Sequence, residues 1–364
     1  MIKQAQKVLD ALRMESGLYL ASSSDEYHFV WIRDNCYAAM ATLWEPSNRY
    51  EQTYHALFDI FRRYAWKLEY HVTHRPNEAF EYVHPRYTVD GWEVQEPWGN
   101  AQNDAIGIFL YGVGEGLRQK RAMFRDAVDR QIVQMLVKYL RNLEYWHDAD
   151  NGMWEENCEV HMSSVGACAA GLLAISSFIQ VDWDSVVRGL TTVLSHYPRE
   201  SASKDCDLAE LSLVYPYQLL PVDLARRLLV NVEQNLLRSH GTIRYQGDKY
   251  YTKQEWEAEW SMGLPWLGLA YLTIGDINKA CEYLDWTERV MISPGVLPEL
   301  FVGELHTPNG NTPLAWSQAL YLILARSFAD SAILEGMVCT ASTIYTKWRT
   351  SNVSATSLHS CGKG

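Results

Sequence analysis

Apolar residues recur every three or four positions through most of the 364-residue chain, the spacing of helices with one buried face. Two stretches, 17–22 and 242–251, are instead short candidates for β-strands. The pattern therefore predicts an all-α fold of about twelve helices. The helical segments are 2–14, 36–44, 52–67, 103–118, 125–145, 163–179, 184–196, 206–215, 222–237, 259–273, 277–288 and 312–328.

Two kinds of helix alternate along the chain. Segment 125–145 has a charged face, whereas segments 163–179 and 312–328 are apolar or small on nearly every side. A helix that is apolar all round must be buried all round, so the alternation indicates two concentric layers, an α/α barrel. An irregular α-solenoid is the competing architecture.

The chain has no linker of low complexity. We therefore predict one large barrel domain over residues 1–348. The last residues, 349–364, are small and polar, and this composition predicts a disordered tail.

Composition excludes several classes of partner. A net charge of -12 argues against nucleic acid and anionic membranes, which both attract basic surfaces. No apolar run is long enough to span a bilayer, and the N-terminus lacks the apolar region of a secretory signal. Seven cysteines without regular spacing are typical of reduced thiols, and they predict a cytoplasmic protein without a metal site.

Aromatic residues with a polar group are abundant, with 14 Trp and 22 Tyr. Such side chains suit either packing between helices or stacking on sugars. Four clusters mix them with carboxylates, amides or guanidinium groups, a combination suited to holding a carbohydrate. The clusters are 27–35, 96–107, 152–164 and 295–316.

Adjacent glutamates follow a tryptophan in the stretch "NGMWEENCEVHMSSVGA", residues 151–167. Cleavage of a glycosidic bond needs one protonated carboxyl group and a second carboxylate that activates water or attacks the sugar. Glu155, beside the indole of Trp154 and the charge of Glu156, fits the acid. Glu299, in a loop before another apolar helix, is the best second carboxylate.

Each of these residues also has a purely structural interpretation. Adjacent glutamates are commonly solvated, and aspartates that precede helices commonly cap them. Tryptophans of a helical protein commonly pack in its core. No P-loop, HExxH or GxSxG motif points to a different chemistry, and we expect neither a metal nor an organic cofactor.

Taken together and in order, the four clusters resemble the glucoamylase-like glycoside hydrolases of family 15. They also resemble the N-terminal domain of phosphorylase kinase regulatory subunits, which shares that fold. The resemblance runs from about residue 27 to residue 327. It implies an (α/α)6 barrel and inverting hydrolysis of terminal α-linked glucose from an oligosaccharide or α-glucan, without a cofactor.

The resemblance also assigns residues that would hold the sugar. "YHFVWIRDN" is similar to the family's Y-x-x-x-W-x-R-D segment and "WGNAQND" to its W-G-x-x-Q-x-D segment. A later segment of the family carries an arginine and a Pro-Trp pair. The substrate-binding residues implied in this way are Tyr27, Trp31, Arg33, Asp34, Trp98, Asp104, Glu156, Arg244 and Trp266.

For catalysis, the resemblance implies Glu155 as general acid and Glu299 as general base. Leu300 follows Glu299 where hydrolases of the family usually have glutamine, and leucine is closer to the phosphorylase kinase pattern. The alternative function is therefore a glucan-sensing or regulatory protein that binds sugar without cutting it. Such a protein would keep the aromatic residues and Asp34 but would not need Glu299 as a base.

Overall fold

The computed structural model describes residues 1–252 and 256–330. Twelve α-helices form nearly half of this part of the chain. The end of the predicted domain at residue 348 and the predicted tail 349–364 lie outside the described residues. The helices are α1 (Ile2–Ala11), α2 (Ile32–Met40), α3 (Arg49–Arg63), α4 (Ala65–His71), α5 (Asn103–Arg118), α6 (Ala127–Leu143), α7 (Met162–Ile175), α8 (Trp183–His196), α9 (Val222–Leu236), α10 (Gly263–Thr273), α11 (Ile277–Arg289) and α12 (Ala315–Ala329).

Five helices, α2, α5, α7, α10 and α12, are buried on nearly every side. They form an inner ring in which α12 packs against α2, α2 against α5, α5 against α7 and α10 against α12. The sixth place, between α7 and α10, is taken by the short 3₁₀ helix Leu208–Leu213, which is also fully buried. The ring closes, so the prediction of an (α/α)6 barrel is confirmed and the solenoid is excluded.

The outer layer consists of amphipathic helices, which bury one face against the ring as the apolar spacing predicts. Helix α1 packs on α12, α8 on α7 and α11 on α10. Segment 52–67 was expected as one helix, but the structure divides this region into α3 and α4 at Tyr64. Within the described residues, no helix has the length and apolar character needed to cross a membrane.

Small residues let two inner helices approach closely. A Cβ atom on Gly107 of α5 would lie 2.3 Å from a backbone carbon of Ala167 in α7. One on Gly171 of α7 would lie 2.4 Å from the carbonyl oxygen of Gly107. Any larger side chain would force the helices apart, which explains the small-residue run in 163–171.

Short antiparallel strands form two small sheets. One pairs β1 (Val30–Trp31) with β2 (Arg86–Tyr87). The other orders β3 (Glu259–Trp260), β4 (Leu300–Val302) and β5 (Thr307–Pro308). Strands β1 and β3 lie just before the inner helices α2 and α10, so they fix the side chains at the start of the ring.

The strands predicted at 17–22 and 242–251 are wrong, because these stretches form only isolated bridges. Tyr19 bridges to Arg13, and Thr242 bridges to Trp260 of β3. The other edge of β3 is paired with β4, so the sheet forms around residues 259–260. For the same reason the helix predicted from residue 259 begins only at Gly263.

Candidate active site

A pocket opens at the end of the barrel where the inner helices begin. Its volume is about 80 Å³. Seven of the predicted site residues line it together, although they come from distant parts of the chain. They are Tyr27, Trp31, Arg33, Asp34, Glu155, Arg244 and Glu299.

A larger cavity of about 570 Å³ lies between the outer helices α6 and α8. Its single carboxylate, Asp182, is 3.0 Å from the guanidinium of Arg141. This cavity lacks a second carboxylate and has one aromatic side chain, Trp183. The smaller pocket is where the predicted site residues come together, so we take it as the candidate active site.

Glu155 lies in the turn that leads toward α7. Its carboxylate accepts a hydrogen bond of 2.7 Å from the indole N–H of Trp31, and the guanidinium of Arg33 is 3.6 Å away. Its φ is +63°, in the left-handed region that non-glycine residues rarely adopt. The side chain is 15% exposed, so a ligand in the pocket can reach a carboxyl group that the protein holds in place.

The neighbouring Glu156 faces other partners. Its carboxylate lies 2.6 Å from Arg244 Nη2, accepts a bond of 2.5 Å from the Tyr245 hydroxyl, and is 3.5 Å from Lys204 Nζ. The charge of Glu156 is therefore balanced by two cations. Glu156 does not line the pocket; it holds Arg244, which does.

Glu299 is buried where the chain enters β4, and only 1% of it is exposed. Three groups donate hydrogen bonds to its carboxylate: the Tyr27 hydroxyl at 2.7 Å, the Asn309 amide at 2.5 Å and the Asn311 amide at 2.9 Å. Burial raises the pKa of Glu299, and the bonds from Asn311, Tyr27 and Asn309 oppose the rise. All three donors favour the ionised form, which is the form that can accept a proton.

Arg33 and Asp34 open helix α2. Arg33 forms a buried ion pair of 2.9 Å with Asp104, and its guanidinium also donates to Gln102 at 3.2 Å. Asp104 thus lies beneath the pocket and anchors Arg33. Burial raises the pKa of Asp34 from 3.8 to about 7. The positive charge of Arg33 limits this rise, and the negative charge of Glu155 adds to it.

Three indoles that the motifs did not assign complete the wall. Trp154 stacks on Trp316 with ring centroids 6.2 Å apart and is 5.9 Å from Trp260. The guanidinium of Arg244 lies over both Trp154 and Trp260, at 5.4 and 4.9 Å from their centroids. Trp154 directly precedes Glu155 in sequence, which is the one signal that could have identified it.

Besides Asp104 and Glu156, two more predicted site residues, Trp266 and Trp98, lie outside the pocket wall. Trp266 is fully buried in α10, where its indole N–H donates to the carbonyl of Tyr215 at 2.8 Å and its ring packs on Trp316. Trp98 lies farther out, with the Arg86 guanidinium 3.8 Å from its ring centroid. Since Arg86 also lies over Trp31, Trp98 borders the pocket through this cation.

The arrangement combines three carboxyl groups, two arginines and a wall of indoles around one small space. Indole faces suit the apolar side of a sugar ring, and guanidinium and carboxylate groups suit its hydroxyls. Glu155 and Glu299 come from different loops and line the same space. The site can therefore bind a sugar and transfer protons at two points.

Comparison with known proteins gives a family match. The sequence model of "Glycosyl hydrolases family 15" matches residues 4–205. The chain is 28% identical to an isomaltose glucohydrolase of Kribbella flavida, over 66% of this chain and 68% of that protein. It is 25% identical to a probable phosphorylase b kinase regulatory subunit alpha of Caenorhabditis elegans, over 84% of this chain but only 31% of that protein. The chain thus spans about a third of the length of the regulatory subunits it matches.

Solved structures with the same fold include a glycosidase variant, with a TM-score of 0.79 and 22% identity. That match covers 93% of this chain and 96% of the other. The glucoamylase of Saccharomycopsis fibuligera aligns with a TM-score of 0.65 and 14% identity over 92% and 95% of the two chains. At these identities the likeness shows the fold, which agrees with the closed inner ring.

Proposed function

The chain belongs to glycosyl hydrolase family 15, and from this we propose that it is an inverting glycosidase that releases terminal glucose from α-linked glucosides or oligosaccharides. The observation that carries the proposal is the setting of Glu299. A buried carboxylate with three donors has its position fixed by the protein, and the donors favour its ionised form against the effect of burial. It lines the same pocket as Glu155, which supplies the second carboxyl group that glycosidic cleavage needs.

The proposed reaction is a single displacement. Glu155 gives a proton to the glycosidic oxygen as the bond to the anomeric carbon breaks. Glu299 takes a proton from a water molecule that attacks the anomeric carbon from the opposite face. In an inverting enzyme the two carboxyl groups are roughly 6.5–9.5 Å apart, leaving room for that water.

The remaining pocket residues would hold the sugar. Arg33, fixed by Asp104, and Asp34 would bind hydroxyls, and the indoles would cover the apolar face of the ring. Arg244, fixed by Glu156, would stay in place as the substrate enters. The small volume of the pocket favours one terminal sugar residue over an internal stretch of a polymer.

A second function is favoured by one specific feature, the match to phosphorylase kinase regulatory subunits. Leu300 follows the proposed base, and a leucine at this position is closer to the pattern of those proteins than to that of the hydrolases. Its side chain is fully buried in β4. In this alternative the barrel binds an oligosaccharide without cleaving it. Glu299 would then serve only as a hydrogen-bonding group in the pocket wall.

One experiment separates the two functions. Purified protein is assayed for glucose release from maltose, maltotriose, soluble starch, isomaltose, dextran and trehalose. Glu155→Gln and Glu299→Gln are the test variants, and Glu282→Gln, on the exposed surface of α11, is the matched control. A glycosidase loses about 10²–10⁴-fold in kcat with either test variant and nothing with the control.

Two other outcomes would contradict the proposed hydrolase. Release that persists in both test variants would contradict the assignment of the acid and the base. Binding of one of these sugars without any release, unchanged by Glu299→Gln, would establish the sensor function. The substrate that is cleaved also identifies the linkage.

A further inference from the structure

A cluster of two histidines and a glutamate lies outside the sugar pocket. His240 comes from the segment before β3, Glu259 from β3 itself, and His306 from the turn between β4 and β5. Their potential ligand atoms all lie within 4.8 Å of one another. We propose that these three side chains bind a divalent transition metal of the zinc class.

The spacing approaches that of a tetrahedral site. His306 Nδ1 is 3.3 Å from Glu259 Oε1, and His240 Nδ1 is 3.9 Å from Glu259 Oε2. Zinc binds imidazole nitrogen and carboxylate oxygen at about 2.0–2.1 Å, so neighbouring ligand atoms of a tetrahedron are about 3.3 Å apart. The His306–Glu259 edge already has this length. The His240–Glu259 distance runs to the other carboxylate oxygen and must shorten by about 0.6 Å to reach this length.

The charge of the cluster also favours a cation. The side chain of Glu259 is only 12% exposed. Within residues 1–252 and 256–330, its ion-pair partners are the two histidines. When both imidazoles are unprotonated, as metal binding requires, the carboxylate is the only charge of the three. A bound cation would balance it in a partly buried place.

Other contacts hold the ligands in position. The backbone N–H of His240 donates to Glu259 Oε2 at 2.6 Å. The two imidazole rings stack with centroids 3.9 Å apart, and the His240 ring packs on Phe301. These contacts restrict the orientation of the Glu259 carboxylate and of the His240 ring.

The donor set selects the metal class. Two imidazoles and one carboxylate suit Zn²⁺, Co²⁺, Ni²⁺ and Cu²⁺, whereas Mg²⁺ and Ca²⁺ prefer oxygen ligands alone. Three protein ligands leave a fourth tetrahedral position for water. We therefore expect Zn²⁺ to bind well and Mg²⁺ to bind poorly.

The position of the site suggests what the metal does. It would join the turn that carries His306 to β3. The same hairpin begins directly after Glu299 and ends directly before Asn309, which donates to Glu299. A bound metal would thus stabilise the hairpin that holds the proposed base, without contacting the sugar.

The test uses untagged full-length protein freed of metal with EDTA and then titrated with ZnCl₂ by calorimetry. We expect one equivalent of Zn²⁺ to bind and no response to MgCl₂. His306→Gln and, separately, His240→Gln should each weaken binding by about tenfold or more, since even the loss of an outer contact costs 10–100-fold. The matched control is His196→Gln on the exposed surface of α8, which should bind like the wild type.

Co²⁺ binding gives a second readout. Its visible spectrum should show nitrogen and oxygen ligands without the charge-transfer band of a thiolate, which distinguishes the site from the exposed Cys158 and Cys281. Absence of Zn²⁺ binding in the wild type, or binding as tight as that of the wild type in both histidine variants, would overturn the proposal. Neither readout involves turnover, so the outcome is independent of whether the protein cleaves a sugar.

Discussion

The substitution Asn311→Ala tests whether the proposed base depends on the amides around it. Asn311 is buried, and its amide N–H donates to Glu299 at 2.9 Å. The Ser24 hydroxyl donates to the amide oxygen of Asn311 at 2.6 Å, which fixes the direction of the amide. Alanine removes the donor from a carboxylate that has little access to water.

The lost hydrogen bond gives the direction of the pKa change, and the usual strength of such bonds gives its size. A hydrogen bond to a charged group contributes about 1.5–3 kcal/mol. Removing one that lowers the pKa of Glu299 raises that pKa further, so a smaller fraction of Glu299 is ionised on the acidic side of the pH profile. At 1.36 kcal/mol per tenfold, kcat/KM on that acidic limb should fall about ten- to hundredfold.

The assay is the pH dependence of kcat/KM on whichever substrate releases glucose. In Asn311→Ala the acidic limb should move to higher pH, and activity should recover toward the wild-type value at alkaline pH. Ser24→Ala should move the limb in the same direction by a smaller amount. Asn142→Ala, which removes an amide on α6 that donates to the carbonyl of His71, should leave the limb in place. A loss in Asn311→Ala that is equal at every pH would refute the assignment of Glu299 as the titrating base.

Three further substitutions test other parts of the site. Trp31→Phe keeps an aromatic ring but removes the N–H that donates to Glu155, so kcat should fall about tenfold in steady-state assays with little change in KM. Asp104→Ala removes the nearer of the two carboxylates that pair with the buried guanidinium of Arg33, leaving Glu155 at 3.6 Å, and the free energy of unfolding, measured in urea, should fall by about 3 kcal/mol. The pKa of Asp34, raised by burial to about 7, means that the folded protein holds this proton more tightly than the unfolded chain. The stability from Asp34 is therefore present below about pH 4 and lost as pH rises through about 7, so Asp34→Asn should weaken the fall in unfolding free energy between pH 5 and pH 8. Unchanged values in these three measurements would contradict the roles given to Trp31, Asp104 and Asp34 respectively.

Much of the fold follows from the sequence because helix burial leaves a regular pattern. The all-apolar segments became inner helices and the amphipathic ones became outer helices, as their spacing predicts. The short strands left no such pattern, since strands of two or three residues cannot show alternation. The sixth inner position was predicted as a helix over 206–215, but the structure forms the shorter 3₁₀ helix Leu208–Leu213 there, a difference in helix type that the apolar spacing does not show.

The site residues also divide into those whose place the sequence predicts and those whose place it does not. Motifs in sequence order brought Tyr27, Arg33 and Glu299 to one pocket, because they lie where inner helices or their preceding strands begin. The motif that contains Trp266 does not indicate on which side of its helix the indole lies. In the structure this indole is fully buried in the core. Asn309, ten residues from Glu299, carries no motif of its own, and only the hairpin of β4 and β5 shows its contact.

The contacts that hold the pocket residues in place could not be predicted from the sequence either. Glu156 was expected to bind sugar beside Glu155, yet the bridge to Arg244 places its carboxylate behind the pocket wall. This pair is separated by 88 positions. Its formation depends on the closure of the barrel, which no local pattern encodes. The role of Glu156 as a direct sugar ligand stays a prediction.

The configuration of the first glucose released tests the central claim most directly. Proton NMR during the first minutes of hydrolysis distinguishes the two anomers before they interconvert. Inversion by Glu155 and Glu299 predicts that an α-linked substrate gives β-glucose first, and that Glu299→Gln gives none. Initial release of α-glucose would contradict the single displacement and require a covalent intermediate in its place.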